Sequence, residues 1–77
     1  IEKGTLNLIN YDVDPFDVYI DGNFVGSISG SSTQSFTLPQ GKHSVRVVEK
    51  SGYILKQQIE NWNIAIQGNS ISTLSWD

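Results

Sequence analysis

Apolar side chains recur at every second position in short runs along the whole 77-residue chain, and turn-forming residues break those runs at regular intervals. Successive side chains of a β-strand point to opposite faces, so this period buries one face of each run and wets the other. Nowhere do apolar residues fall at i, i+3, i+4 and i+7, the stripe that an amphipathic helix would need.

The runs can be placed one by one. Leu6 and Leu8 alternate with Thr5 and Asn7, and Ile9 extends that strand; residues 10–15 then carry the Asn, Asp and Pro of a turn. Residues 16–21 put Phe16, Val18 and Ile20 on one face and Asp17, Tyr19 and Asp21 on the other. Asp21-Gly22 tolerates positive φ and reverses the chain into Phe24, Val25 and Ile28, a return strand that Gly26 interrupts with a bulge or a point of close approach. Gly30-Ser31-Ser32 is a loop, and residues 33–38 form a strand with Phe36 and Leu38 on one face. Pro39-Gln40-Gly41 turns the chain into a fifth strand, where His43, Val45 and Val47 share a face and Arg46 takes the other. After Ser51-Gly52, residues 53–59 are expected as a sixth strand and residues 61–63 as irregular chain. Ile64 and Ile66 form a short edge segment before Gly68-Asn69, and residues 71–76 close the domain with Leu74 and Trp76 on one face. About seven short strands joined by turns indicate one all-β domain over residues 1–77, a sandwich or a small barrel.

Composition narrows the function. A chain of this size buries only about 60% of the surface its unfolded form exposes. It has no cysteine, hence no disulfide, thiolate metal site or cysteine nucleophile. Eight acids against five bases give a net charge of -3, which argues against a nucleic-acid partner. No apolar run approaches the roughly 20 residues of a membrane-spanning helix, so no direct membrane insertion is expected. The absence of methionine points to a processed product or, as the preferred reading, a domain of a longer protein.

The run Val18-Tyr19-Ile20-Asp21-Gly22-Asn23-Phe24-Val25-Gly26 resembles the hairpin of bacterial PEGA domains. Leu38-Pro39-Gln40-Gly41-Lys42-His43-Ser44-Val45 is similar to their following turn, Ser51-Gly52-Tyr53 to their glycine–tyrosine pair, and Gly4-Thr5-Leu6-Asn7-Leu8 to their first strand. The likeness covers residues 4 to 56; Asp14-Pro15-Phe16-Asp17 stands in place of the namesake Pro-Glu-Gly-Ala, and Ser27-Ile28-Ser29 in place of a threonine-proline. The resemblance implies a small antiparallel β-sandwich, immunoglobulin-like or prealbumin-like. It also implies an extracytoplasmic location in the cell envelope, periplasm or surface, and a non-catalytic binding or spacer role. Partners would be other domains of the parent protein or envelope proteins, with polysaccharide as the alternative, and no cofactor is implied.

Two constellations carry candidate chemistry. Asp12, Asp14, Asp17 and Asp21 crowd ten positions, and Asn10-x-Asp12-x-Asp14 imitates the start of a calcium loop. Pro15 occupies the position where such a loop needs glycine, so turn-and-face acids are the preferred reading, with a cation site on Asp12, Asp14 and Asp17 as the alternative. Trp62, Tyr53 and Tyr19 are the candidates for stacking on sugar rings, while Trp76 shares parity with Leu74 and is expected in the core. His43, beside a turn and with no second ligand in its vicinity, reads as a rim residue. No serine sits in a G-x-S-x-G elbow and no glycine precedes Gly41-Lys42 in phosphate-loop fashion, so no enzyme is expected. Lys42, Arg46, Lys50 and Lys56 are interspersed with Glu49 and Glu60 and read as a solvated face. The uncharged residues 71–76 would be a docking edge if that strand lies at the border of a sheet.

Overall fold

A computed structural model describes residues 2–50 and 58–77 of the chain. It contains β1 (Lys3–Asn10), β2 (Phe16–Ile20), β3 (Asn23–Ile28), β4 (Ser32–Pro39), β5 (Gly41–Glu49), β6 (Ile59–Ile66) and β7 (Ile71–Trp76), with no helix among the described residues. The strands form two packed sheets of order β4-β1-β7 and β3-β2-β5-β6, an all-β sandwich.

The alternation read from the sequence decides which side chains meet between the sheets. Leu6 and Leu8 of β1 and Trp76 of β7 face Phe16, Val18, Ile20, Ile28, Val45, Val47 and Ile66 from the larger sheet. Phe36, Leu38, Trp62, Ile64 and Leu74 close the rim of this core. Phe16 meets Trp76 edge to face at 5.5 Å, and Trp76 meets Trp62 at 5.7 Å, so the aromatic residues bridge the two layers.

The hairpin between β2 and β3 turns through Asp21 (φ 54) and Gly22 (φ 84), the two positive angles of a type I′ turn. One residue beyond, Val18 pairs with Gly26 but Tyr19 pairs with Phe24, which leaves Val25 as the extra residue of a bulge. Gly26 accommodates it at φ 153. The bulge turns Phe24 and Val25 outward, where both are exposed.

Three expectations need correction. Residues 61–63 are not irregular: they lie inside β6, which pairs with β5 in unbroken register from Val48↔Ile59 to Gly41↔Ile66. Asparagine is poor in strands, but Asn61 and Asn63 stand at outward positions of an edge strand, where water solvates them. Asn10 is not a turn residue; it ends β1 at the same parity as Leu6 and Leu8 and is 1% exposed. The sandwich is not wholly antiparallel, because β7 runs parallel to β1, with Leu8 opposite Leu74 and Asn10 opposite Trp76. The expected strand over residues 53–59 falls largely outside the described residues, as does the Ser51-Gly52 turn. No described helix is long and apolar enough to cross a membrane.

Candidate functional site

The run of acids is divided by the fold among three places. Asp12 and Asp14 sit in the β1–β2 connection, which is held by the buried Asn10 amide. Its Nδ2 donates to the carbonyls of Asp14 (2.8 Å) and Ser29 (3.1 Å), and its Oδ1 accepts from the Asp12 N–H (2.9 Å). Asp12 Oδ1 in turn accepts from the Asp14 N–H at 3.1 Å. Gly30 passes so close to this connection that a methyl group there would overlap the Val13 carbonyl.

These two carboxylates meet a third that sequence reasoning did not single out as a site residue. Oxygens of Asp12, Asp14 and Glu49 lie within 4.8 Å of one another. Glu49, at the end of β5, is only 7% exposed; its Oε1 accepts from the Gln58 N–H at 3.2 Å. A hydrogen bond with Asp14 raises the Glu49 pKa above its ordinary value, the Gln58 N–H opposes this, and burial and the charges of Asp14 and Asp12 add to the rise. The group therefore holds a proton between two carboxyls more readily than isolated acids do. Sequence carries one signal for Glu49: it occupies the inward parity of Val45 and Val47, where an acid is out of place.

Asp17 does not join the cluster, contrary to the triad of Asp12, Asp14 and Asp17. Its parity on β2 sends it to the outer face, where it accepts from Ser27 Oγ at 2.8 Å. Asp21 lies at the opposite end of β2 and accepts from His43 Nδ1 (2.6 Å) and from the Ser44 N–H (3.0 Å). His43 Nε2 faces the Pro39 carbonyl at 2.8 Å, so both ring nitrogens are engaged within the fold. The bond to Asp21 and then the Pro39 carbonyl raise the His43 pKa, and the same bond, followed by the Ser44 N–H, lowers that of Asp21. The His43 side chain is 10% exposed, more covered than a rim position suggests.

The aromatic candidates are separated too. Trp62 pairs with the inward Val45 and packs on Trp76, whereas Tyr19 pairs with the outward Arg46 and meets Phe24 edge to face at 5.7 Å. Tyr19 and Trp62 thus lie on opposite faces of one sheet and form no common stacking plane; Tyr53 lies outside the described residues. Trp76 is in the core as its parity indicates, with Nε1 buried and unpartnered among the described residues.

The outer face of the larger sheet holds two adjoining recesses. One, of about 370 Å³, is lined by Tyr19, Gly22, Ser44, Arg46 and residues 61–63. The other, of about 520 Å³, is lined by Asp21, residues 42–44 and residues 63–65. They share Ser44 and Asn63 and so run on into each other along β5 and β6. No protein-family model matches the chain, and no curated protein matches it.

Proposed function

We propose that this domain is a non-catalytic interaction or spacer module of a bacterial cell-envelope or exported protein. One observation carries the reading: β6 and β7, the border strands of the two sheets, lie beside each other on the same side of the sandwich, and β7 has no charged residue. Border strands of soluble proteins are usually blunted by charge or proline, because their free N–H and C=O groups recruit other strands. A neutral border is suited to being covered by a neighbouring domain or partner, and β-strand addition is a general mode of such docking. The hairpin over residues 18–26 and the turn over residues 38–45 support the envelope assignment through their likeness to PEGA modules.

The only oriented His–Asp pair among the described residues supports a non-catalytic reading, since both His43 nitrogens face acceptors within the fold, the Asp21 carboxylate and the Pro39 carbonyl, and neither is turned to a substrate. The test is a turnover screen with ester, glycoside and phosphate reporters. We expect the wild-type chain to match a His43→Ala control; turnover that disappears in His43→Ala would overturn the reading.

A second reading, carbohydrate binding, is favoured by the joined recesses on the outer face, where Tyr19 offers a ring and Asn61 and Asn63 offer amides.

A further inference from the structure

The structure points to a ligand class for those joined recesses, and the inference rests on the carbohydrate reading just given: we propose that the outer face of the β3-β2-β5-β6 sheet binds an acidic polysaccharide, its carboxylates held by Arg46 and Lys42.

Parity creates the site. Residues 42, 44 and 46 of β5 all point away from the core, so Lys42 and Arg46 stand about 13 Å apart on one face, with Ser44 between them. Register then surrounds Arg46: Tyr19 lies directly opposite on β2 and Asn61 directly opposite on β6. Ser44 is likewise opposite Asn63. The Arg46 guanidinium has neither an ion pair nor a hydrogen bond among the described residues, although the chain carries eight acids. The acids closest along this face are already engaged, Asp21 by His43 and Ser44, Asp17 by Ser27. The groove thus holds two cations, Lys42 and Arg46, with the Asp21 carboxylate at its far end turned to His43 and Ser44.

The neighbours of those cations indicate a sugar. A guanidinium binds a carboxylate through two parallel hydrogen bonds, and Lys42 supplies a second point charge farther along. Asn61 and Asn63 supply donors and acceptors for ring hydroxyls, and the Tyr19 ring, steadied by Phe24, supplies a flat apolar surface. An acidic peptide would use the same cations but offers no sugar ring to the Tyr19 face, and a hexaglutamate arm separates the two.

The test is an amide NMR titration with a galacturonic acid hexamer, its methyl-esterified form, a neutral hexaose and a hexaglutamate peptide. We expect saturable shifts at Tyr19, Ser44, Arg46, Asn61 and Asn63 with the acidic hexamer, and affinity for the ester about tenfold or more weaker, the loss expected for one charge-assisted contact. Arg46→Gln should lose a similar factor, and Arg46→Lys part of it, while both variants keep the wild-type spectrum elsewhere. Equal binding of acid and ester with Arg46→Gln unaffected would overturn the acidic class and leave the carbohydrate reading standing. Silence with every saccharide would overturn both. Hexaglutamate binding as tightly as the acidic hexamer would overturn the saccharide assignment.

Discussion

His43 Nδ1 lies 2.6 Å from Oδ2 of Asp21, while the other nitrogen of the same ring lies 2.8 Å from the Pro39 carbonyl. A neutral imidazole has one N–H and can serve one of these acceptors; only the imidazolium serves both. The ring ties the β2–β3 hairpin to the last residue of β4, so one side chain clasps the two sheets at that end of the sandwich.

A definite pH window follows. The folded-state pKa of His43 is raised above its ordinary 6.5, so its contribution is complete below that value and disappears as pH rises through the raised pKa. The folded-state pKa of Asp21 is lowered below 3.8, so its contribution is complete above that value and disappears as pH falls through the lowered pKa. Thermal melts should show His43→Ala losing most relative to wild type between these limits and less once pH has risen through the raised pKa, where the neutral ring still serves one acceptor. An NMR titration of the imidazole protons should place its midpoint above 6.5.

Glu49 behaves in the opposite sense. A carboxyl whose pKa is raised on folding favours the fold while protonated, so stability is greatest below its ordinary 4.5 and declines as pH rises through the raised value. Glu49→Gln keeps an oxygen for the Gln58 N–H and gives the Asp14 carboxylate a permanent donor. The variant should melt at or above the wild-type temperature at pH 7 and lose the decline above pH 4.5. A wild-type-like slope would show that Glu49 is not its source.

Asn10→Ala should be among the most damaging polar substitutions. It removes three hydrogen bonds at a buried position and strands the carbonyls of Asp14 and Ser29. At about 0.5–1.5 kcal/mol each, the loss is about 2–4 kcal/mol, read by urea denaturation. Asn10→Asp should also destabilise, since a carboxylate cannot donate to either carbonyl.

Trp76 and Trp62 should be optically distinct. In Trp62→Phe the remaining indole is the buried Trp76, whose emission should be blue-shifted and resistant to iodide. In Trp76→Phe the half-buried Trp62 should be quenched more readily.

Much of this fold was legible because alternation reports which face a residue takes. Leu6, Phe16, Val18, Val45 and Trp76 all fall inside as their parity requires. Parity does not name a neighbour, so the parallel pairing of β1 with β7 left no trace in the sequence. Nor did the approach of Glu49 to Asp14, 35 positions apart. The strand through Asn61 and Asn63 was hidden because outward edge residues need water more than strand propensity. The separation of Tyr19 from Trp62 was written in their parity relative to Arg46 and Val45, and only the register of β5 with its two neighbours made it visible.

The parallel pairing of β1 with β7 has a mechanical consequence. Tension applied at the start of β1 and the end of β7 would draw the two strands lengthwise past each other, loading the paired residues from Thr5↔Ile71 to Asn10↔Trp76 together. An antiparallel pair pulled at adjacent ends opens one bond at a time; this one must yield as a unit. A spacer held between two anchored neighbours would thus have a shear clasp along its line of pull, made from the segments nearest its two attachments.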